Sequence, residues 1–181
     1  MVPESPLGAT EYGLVPKGKG WFVLNARHAP WRHVQGRGAY SQLEGELQFS
    51  QLGVHLVVLG PGEPMAMYHW EVDQEDFLVL AGEALLIVEG EERPLRQWDF
   101  VHCPPRTKHV IIGAGSGQCV VLAVGARGER SSGPEWGGYS VDEAALGHGA
   151  GVDRETTDAR TAYARVPKRE PTRYRKGWLP D

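Results

Sequence analysis

The stretch Glu75-Asp76-Phe77-Leu78-Val79-Leu80-Ala81-Gly82-Glu83-Ala84-Leu85-Leu86-Ile87-Val88 decides the fold of this chain. It holds two apolar runs, 77–80 and 84–88, parted by a glycine. Each is short and rich in large apolar and β-branched residues, which reads as strand rather than helix. Runs of the same kind lie to either side at 54–59, 65–70, 100–103, 110–112 and 119–124, with Gly and Pro between them. Short strands at near-regular spacing with turn signals between them predict an all-β sandwich or barrel. No helical period between residues 53 and 125 is long enough to supply a crossover between parallel strands, which argues against a parallel α/β sheet. Pro61-Gly62 and Gly90-Glu91 read as turns and 113–117 as a permissive loop. Pro104-Pro105 lacks ladder donors and must end a strand, opening a loop that leads to His109.

Outside this block the texture changes. Residues 1–19 are rich in Gly and Pro without periodicity and read as a flexible arm. The run 21–24 reads as the first strand, with further extended pieces near Trp31 and Tyr40. Residues 20–125 are therefore assigned to one barrel, and 126–181 to an irregular, partly helical extension packing on the barrel or on a partner subunit. In that extension 125–139 is Gly-rich and irregular, while 141–146 and 156–165 have helical character, the second with Asp153 or Thr156 as N-cap and Pro167 as stop. Tyr163, Tyr174 and Trp178 are its candidate anchors.

The chain has 181 residues, enough for one domain with extensions. Its net charge of −4, from 23 acidic and 19 basic side chains, gives no electrostatic case for nucleic acid. The basic residues Arg165, Lys168, Arg169, Arg173, Arg175 and Lys176 gather late and read as a solvated tail. No apolar run approaches the ~18 residues that span a bilayer. With no basic-then-apolar start, a cytoplasmic location is the expectation. Cys103 and Cys119 lie in apolar runs and read as small buried hydrophobes. No Ser/His/Asp order, phosphate loop or Cys-x-x-Cys supports a hydrolase, nucleotide or dithiol function.

The block 62–109 resembles the cupin superfamily. The first motif of that family is Gly, about five residues, His-x-His, three or four residues, Glu, six residues, Gly. Gly62, Glu75 and Gly82 fall on its outer slots, with six residues between Glu75 and Gly82. The second motif is Gly, five residues, Pro-x-Gly, two residues, His, and Trp98, Pro104, Arg106 and His109 occupy its slots. Both second-motif glycines are thus replaced, by Trp98 and Arg106, and the His-x-His pair is incomplete. The resemblance implies a cupin-type double-stranded β-helix, or jelly-roll, barrel. It implies nothing comparably specific about reaction, because one fold hosts many activities.

Two registers fit the first motif. In one, the paired slots hold His69 and Glu71; in the other, Tyr68 and Trp70. Side chains alternate across a strand, so one pair faces the interior and the other faces out. The first register would gather His69, Glu71, Glu75 and His109 as two imidazoles and two carboxylates. That set suits a divalent first-row metal such as Zn, Mn, Fe or Ni, with an open position for water or substrate. The second would leave only Glu75 and His109 inside, beside Tyr68 and Trp70, in a metal-free pocket. A buried carboxylate needs a partner or a metal, which favours the first. Each candidate also has a structural reading, as a backbone-bonded His109 or a solvated Glu75.

His102 and Cys103 face opposite ways and make no joint nucleophile. Met65 and Met67 read as lining, Asp99 as a turn residue, and His28, His33, His55 and His148 as surface or core. Function therefore divides into a metal-binding cupin acting on a small organic molecule and a non-catalytic cupin in which Trp70, Phe77, Met67 and Tyr68 line a ligand pocket. A purely structural oligomeric module is the third reading. By resemblance, the chemistries of the first are oxygenation, or isomerisation and epimerisation. Exposed sheet edges need cover, and a homodimer is the expected means.

Overall fold

A computed structural model describes residues 1–45, 47–128 and 133–181. Among them the regular secondary structure is almost wholly β. In order, the strands are β1 (Leu7–Ala9), β2 (Leu14–Pro16), β3 (Trp31–His33), β4 (Ala39–Gln42), β5 (Leu52–Leu59), β6 (His69–Glu71) and β7 (Glu75–Ala81). There follow β8 (Glu83–Val88), β9 (Glu91–Arg96), β10 (Phe100–Cys103), β11 (His109–Ala114), β12 (Cys119–Ala126) and β13 (Gly137–Tyr139). Two short helices, α1 (Glu143–Gly147) and α2 (Ala159–Ala162), precede the last strand, β14 (Glu170–Thr172). One sheet runs β10-β7-β12-β5-β4-β3-β14 and the other β13-β6-β11-β8-β9, while β1 and β2 pair as a separate hairpin. Together the two large sheets make the cupin-type jelly roll that the sequence predicts.

Strand alternation builds the barrel. Val57 and Leu59 of β5, Phe77 and Val79 of β7, Leu86 of β8 and Ile111 of β11 meet in one interior core. Their neighbours point the other way. Leu56, Val58 and Val120 pack outside the larger sheet under Trp31 and Trp178, and Ile87, Val110 and Ile112 pack outside the smaller one under Ala145 and Ala150. Strands covered on both faces must be apolar at nearly every position, which is why these segments read as continuous runs rather than alternating ones.

Several boundaries differ from the sequence reading, each for an identifiable reason. The run 21–24 is not a strand: it makes one parallel bridge, Glu4 to Trp21, and Trp21 and Val23 stay exposed. The neighbouring 3–5 segment pairs with the run only at Trp21, through Ser5 N to the Trp21 carbonyl and Trp21 N to the Pro3 carbonyl, so no longer ladder forms. Residues 1–19, read as a flexible arm, contain the β1–β2 hairpin. Of the run 65–70 only the end is strand, within β6. β9 went unread because its residues are mostly charged and exposed, a composition that suits an unpaired edge. It pairs with β8 through Glu89-Gly90, both at positive φ, so the turn lies one residue earlier than Gly90-Glu91.

In the Gly-rich stretch 125–139, residues 129–132 lie outside the described residues, but β13 lies within them. It is a strand because Gly137 lets it approach β6: a Cβ there would stand 2.2 Å from the Trp70 carbonyl oxygen. The helices are shorter than expected and are capped by Asp142 and Asp158, not by Asp153 or Thr156. Trp178 and Tyr174 both pack on Trp31, with ring centroids 5.2 and 6.1 Å away. Among the described residues no helix is long and apolar enough to cross a membrane.

Candidate metal centre

Three strands deliver the cluster. β6 carries His69 and Glu71, β7 begins at Glu75 and β11 begins at His109. His109 and His69 are direct cross-strand partners. The loop before His109 is fixed at both ends: Thr107 donates from N and Oγ1 to the Pro104 carbonyl, and Arg106 N donates to the Glu71 carbonyl at 2.7 Å. The register is the one that turns His69 and Glu71 inward. Tyr68 points out into the cluster of Ile87 and Val110, where its hydroxyl accepts from Gly90 N. The ring of Trp70 lies under the Arg106 guanidinium at 5.3 Å. A metal-free pocket lined by Tyr68 and Trp70 is therefore not what this strand builds.

The two imidazoles are set as neutral ligands. His69 Nδ1 lies 2.8 Å from the Met67 carbonyl and His109 Nδ1 lies 3.0 Å from that of Thr107. A carbonyl only accepts, so each Nδ1 carries the proton and each Nε2 presents its lone pair to the interior. His109 Nε2 is buried and has no hydrogen-bond partner among the described residues. It faces Glu75 Oε2 at 3.4 Å, while His69 Nε2 stands 3.7 Å from that oxygen and 3.8 Å from Glu71 Oε1.

His69, Glu75 and His109 offer ligand atoms all within 4.8 Å of one another; Glu71 stands beside them at the edge. Two imidazole lone pairs and a carboxyl oxygen converge here, and a cation at their centre could be held by all three. Ligand atoms about 2.0–2.2 Å from a metal lie roughly 3–3.5 Å apart, close to the 3.4 and 3.7 Å that separate Glu75 Oε2 from the two imidazole nitrogens. The donor set thus fits a divalent metal.

Burial sets the electrostatics. It pulls the His69 imidazole down to about 3, with His109 adding to the effect, and lowers His109 as well. It pushes Glu75 up to about 8, helped by Glu71, and raises Glu71, helped by Asp73. The side chains grade from His109, 1% exposed, through Glu75 at 16% to Glu71 at 30%, so the cluster opens on the Glu71 side. Phe77 backs it, with its ring centroid 5.2 Å from that of His109.

Tyr139, unread in the sequence, is the cross-strand partner of His69 on its other side, with ring centroids 6.1 Å apart. Its only sequence signal is an aromatic residue after two glycines, which does not distinguish it from a loop residue.

The remaining candidates fall elsewhere. His102 is on the outer face bonded to Asp76, while Cys103 is buried, its thiol pushed up to about 12 by burial. Met65 packs on the interior core, whereas Met67 lies outside it with Tyr139 and Val152. Asp99 caps its turn by accepting from Arg96 N. His148 pairs with Glu92 at the surface, and His33 stacks on Trp178.

Residues 55–125 match the cupin domain family. Among solved structures, the polyketide cyclase RemF from Streptomyces resistomycificus is similar with a TM-score of 0.50 at 13% identity, over 59% of this chain and 79% of that one. A sugar phosphate isomerase of the cupin superfamily from Silicibacter pomeroyi is 28% identical, with a TM-score of 0.46 over 53% of this chain and 62% of that one. The DMSP lyase DddQ from Ruegeria pomeroyi is 26% identical, with a TM-score of 0.44 over 51% and 48%. The chain thus spans less than two thirds of the isomerase and of the lyase. No curated protein matches it at a significant level.

Proposed function

We propose that the barrel, whose residues 55–125 match the cupin domain family, holds a divalent first-row metal at His69, Glu75 and His109 and acts there on a small organic molecule. The observation that carries this reading is the buried Nε2 of His109, without a hydrogen-bond partner among the described residues and 3.4 Å from a carboxylate oxygen. Burying such an atom is costly unless something accepts its lone pair. Zn, Mn, Fe and Ni all accept an imidazole and carboxylate set.

When bound, the ion supplies a Lewis acid to polarise a substrate oxygen, or, as iron, access to oxygen chemistry. The chain's own residues do the rest. The Met67 and Thr107 carbonyls hold both imidazoles in the ligating tautomer. Phe77 and Ile111 keep water from the closed side. Glu71, the most exposed of the four, stands at the open rim, where a substrate arrives and where a carboxylate can take a proton from it. Isomerisation, epimerisation and oxygenation are the reaction classes that fit this division of labour.

The test is metal retention. Protein reconstituted separately with Zn, Mn, Fe and Ni and then desalted should keep about one equivalent of at least one of them. His109→Ala and Glu75→Ala, checked for folding by circular dichroism, should weaken binding by about 10-fold or more. Glu71→Gln should keep the metal. Failure of the wild-type chain to retain any of the four ions would overturn the reading.

A further inference from the structure

A cavity of about 710 Å³ lies beside Met67, between the 35–37 turn and the segment from Leu146 to Pro167, and none of His69, Glu75 and His109 lines it. Its volume is that of a small-molecule site. Met67, Val152, Ala162 and Val166 give it an apolar wall. Its charged residues are Arg37, Arg154, Arg165 and one acid, Asp153, which Arg165 already engages at 3.2 Å.

Arg37 is the informative residue. It is half-buried, and its guanidinium donates to the carbonyls of Ala66 and Gly149 at 3.1 and 2.9 Å and to Met67 Sδ at 3.0 Å. All three acceptors are neutral. Among the described residues no carboxylate lies within ion-pair reach of it. Burial disfavours its charged form most, the Tyr163 ring under it at 5.9 Å works the other way, and the like charge of Arg169 adds to the burial effect. A guanidinium has five donors in a fixed fork, so these three bonds lock it in place and leave donors over. A fixed cation without a counter-charge, at the wall of an apolar cavity, is complementary to an anion with an apolar body.

We propose that this cavity is a second binding site, separate from the barrel cluster, for a small organic carboxylate whose anionic end pairs with Arg37 and whose apolar body lies against Met67, Val152 and Ala162. The site does not depend on metal at His69, Glu75 and His109. Two faces of Met67 separate the two: its carbonyl holds His69, and its sulfur contacts Arg37.

Titration calorimetry with hexanoate, on chelator-treated full-length protein, tests the site. Wild type should bind saturably with a Kd of about 1 mM or tighter, in line with a ligand of roughly eight non-hydrogen atoms. Arg37→Gln and the neutral probe hexanamide should each weaken binding about 10-fold or more. Ala164→Trp, which fills the cavity from an exposed lining position, should abolish it with an unchanged circular dichroism spectrum. His109→Ala should bind as wild type does. The proposal is overturned if wild type does not bind, if hexanamide binds equally, or if Arg37→Gln and Ala164→Trp both bind normally. It is also overturned if binding is lost in His109→Ala but kept in Arg37→Gln, which would put the carboxylate in the barrel cluster.

Discussion

Trp98 and Arg106 occupy the two glycine slots of the second cupin motif, and both adopt the glycine conformation, with φ of 75° and 73°. A residue with a Cβ pays roughly 1–2 kcal/mol there. Glycine would relieve that strain but costs about 0.5–1 kcal/mol in unfolded-state entropy. Trp98 is 67% exposed, so Trp98→Gly should stabilise the protein by about 0.5–1 kcal/mol in urea unfolding. Arg106→Gly also loses the guanidinium over Trp70, worth about 0.5–1 kcal/mol, and should be near neutral. At the same scale, the metal-site residues give the metal-free protein a distinctive pH dependence. Glu75 is raised from 4.5 to about 8 in the folded state, so the folded chain binds the extra proton and stability falls as pH rises through that window. His69 is lowered from 6.5 to about 3, so its contribution is complete above pH 6.5 and is lost only on acidification. Between pH 6.5 and 8 the Glu75 slope is the one that remains of these two. Urea midpoints of chelator-treated protein should therefore fall from pH 6.5 to 8, and Glu75→Gln should remove most of that fall. Bound metal, which favours the carboxylate, should reverse it.

Among the elements, α1 has an outsized role for its five residues. It seats Ala145, fully buried, over the outer face of the smaller sheet, the face that carries Tyr68, Val110 and Ile112. A helix this short has little stability of its own. Its start depends on Asp142, whose side chain accepts from Ala145 N at 2.8 Å. Asp142→Ala should lower unfolding stability by about 0.5–2 kcal/mol without affecting metal retention. The strands were legible where burial on both faces made them continuous, as in β5, β7, β11 and β12. The strands β9 and β13 were not, since one is a charged edge and the other two glycines and a tyrosine. Nothing local distinguishes either from a loop; each is a strand because a neighbour offers it a ladder.

Over the whole molecule, the chain closes on itself from its far end. Trp178, three residues from the C-terminus and outside the matched 55–125, is 8% exposed and packs on Trp31 of β3. Arg175 lies over its indole ring at 5.4 Å. Trp178→Ala should cost about 3–5 kcal/mol in urea unfolding while leaving ligand geometry at the barrel cluster, and hence metal retention, intact. The segment after the barrel thus completes the outer surface of the larger sheet as well as that of the smaller one.

By itself the sequence determined an all-β sandwich or barrel, because strand length, turn chemistry and the absence of helical period act locally, and the motif resemblance narrowed it to the cupin-type jelly roll. It also determined four candidate residues, His69, Glu71, Glu75 and His109, because their spacing follows a motif. What it left open was a single residue of register: shifting β6 by one exchanges His69 and Glu71 for Tyr68 and Trp70. Both choices span the same length, so spacing holds no information about which is taken. Tertiary structure decides it, since Tyr68 has an apolar place waiting under α1 and a backbone N–H from Gly90, and His69 has its partner in His109. The cavity beside Arg37 is likewise tertiary, formed where a turn at residues 35–37 meets a segment more than 100 residues later in the chain.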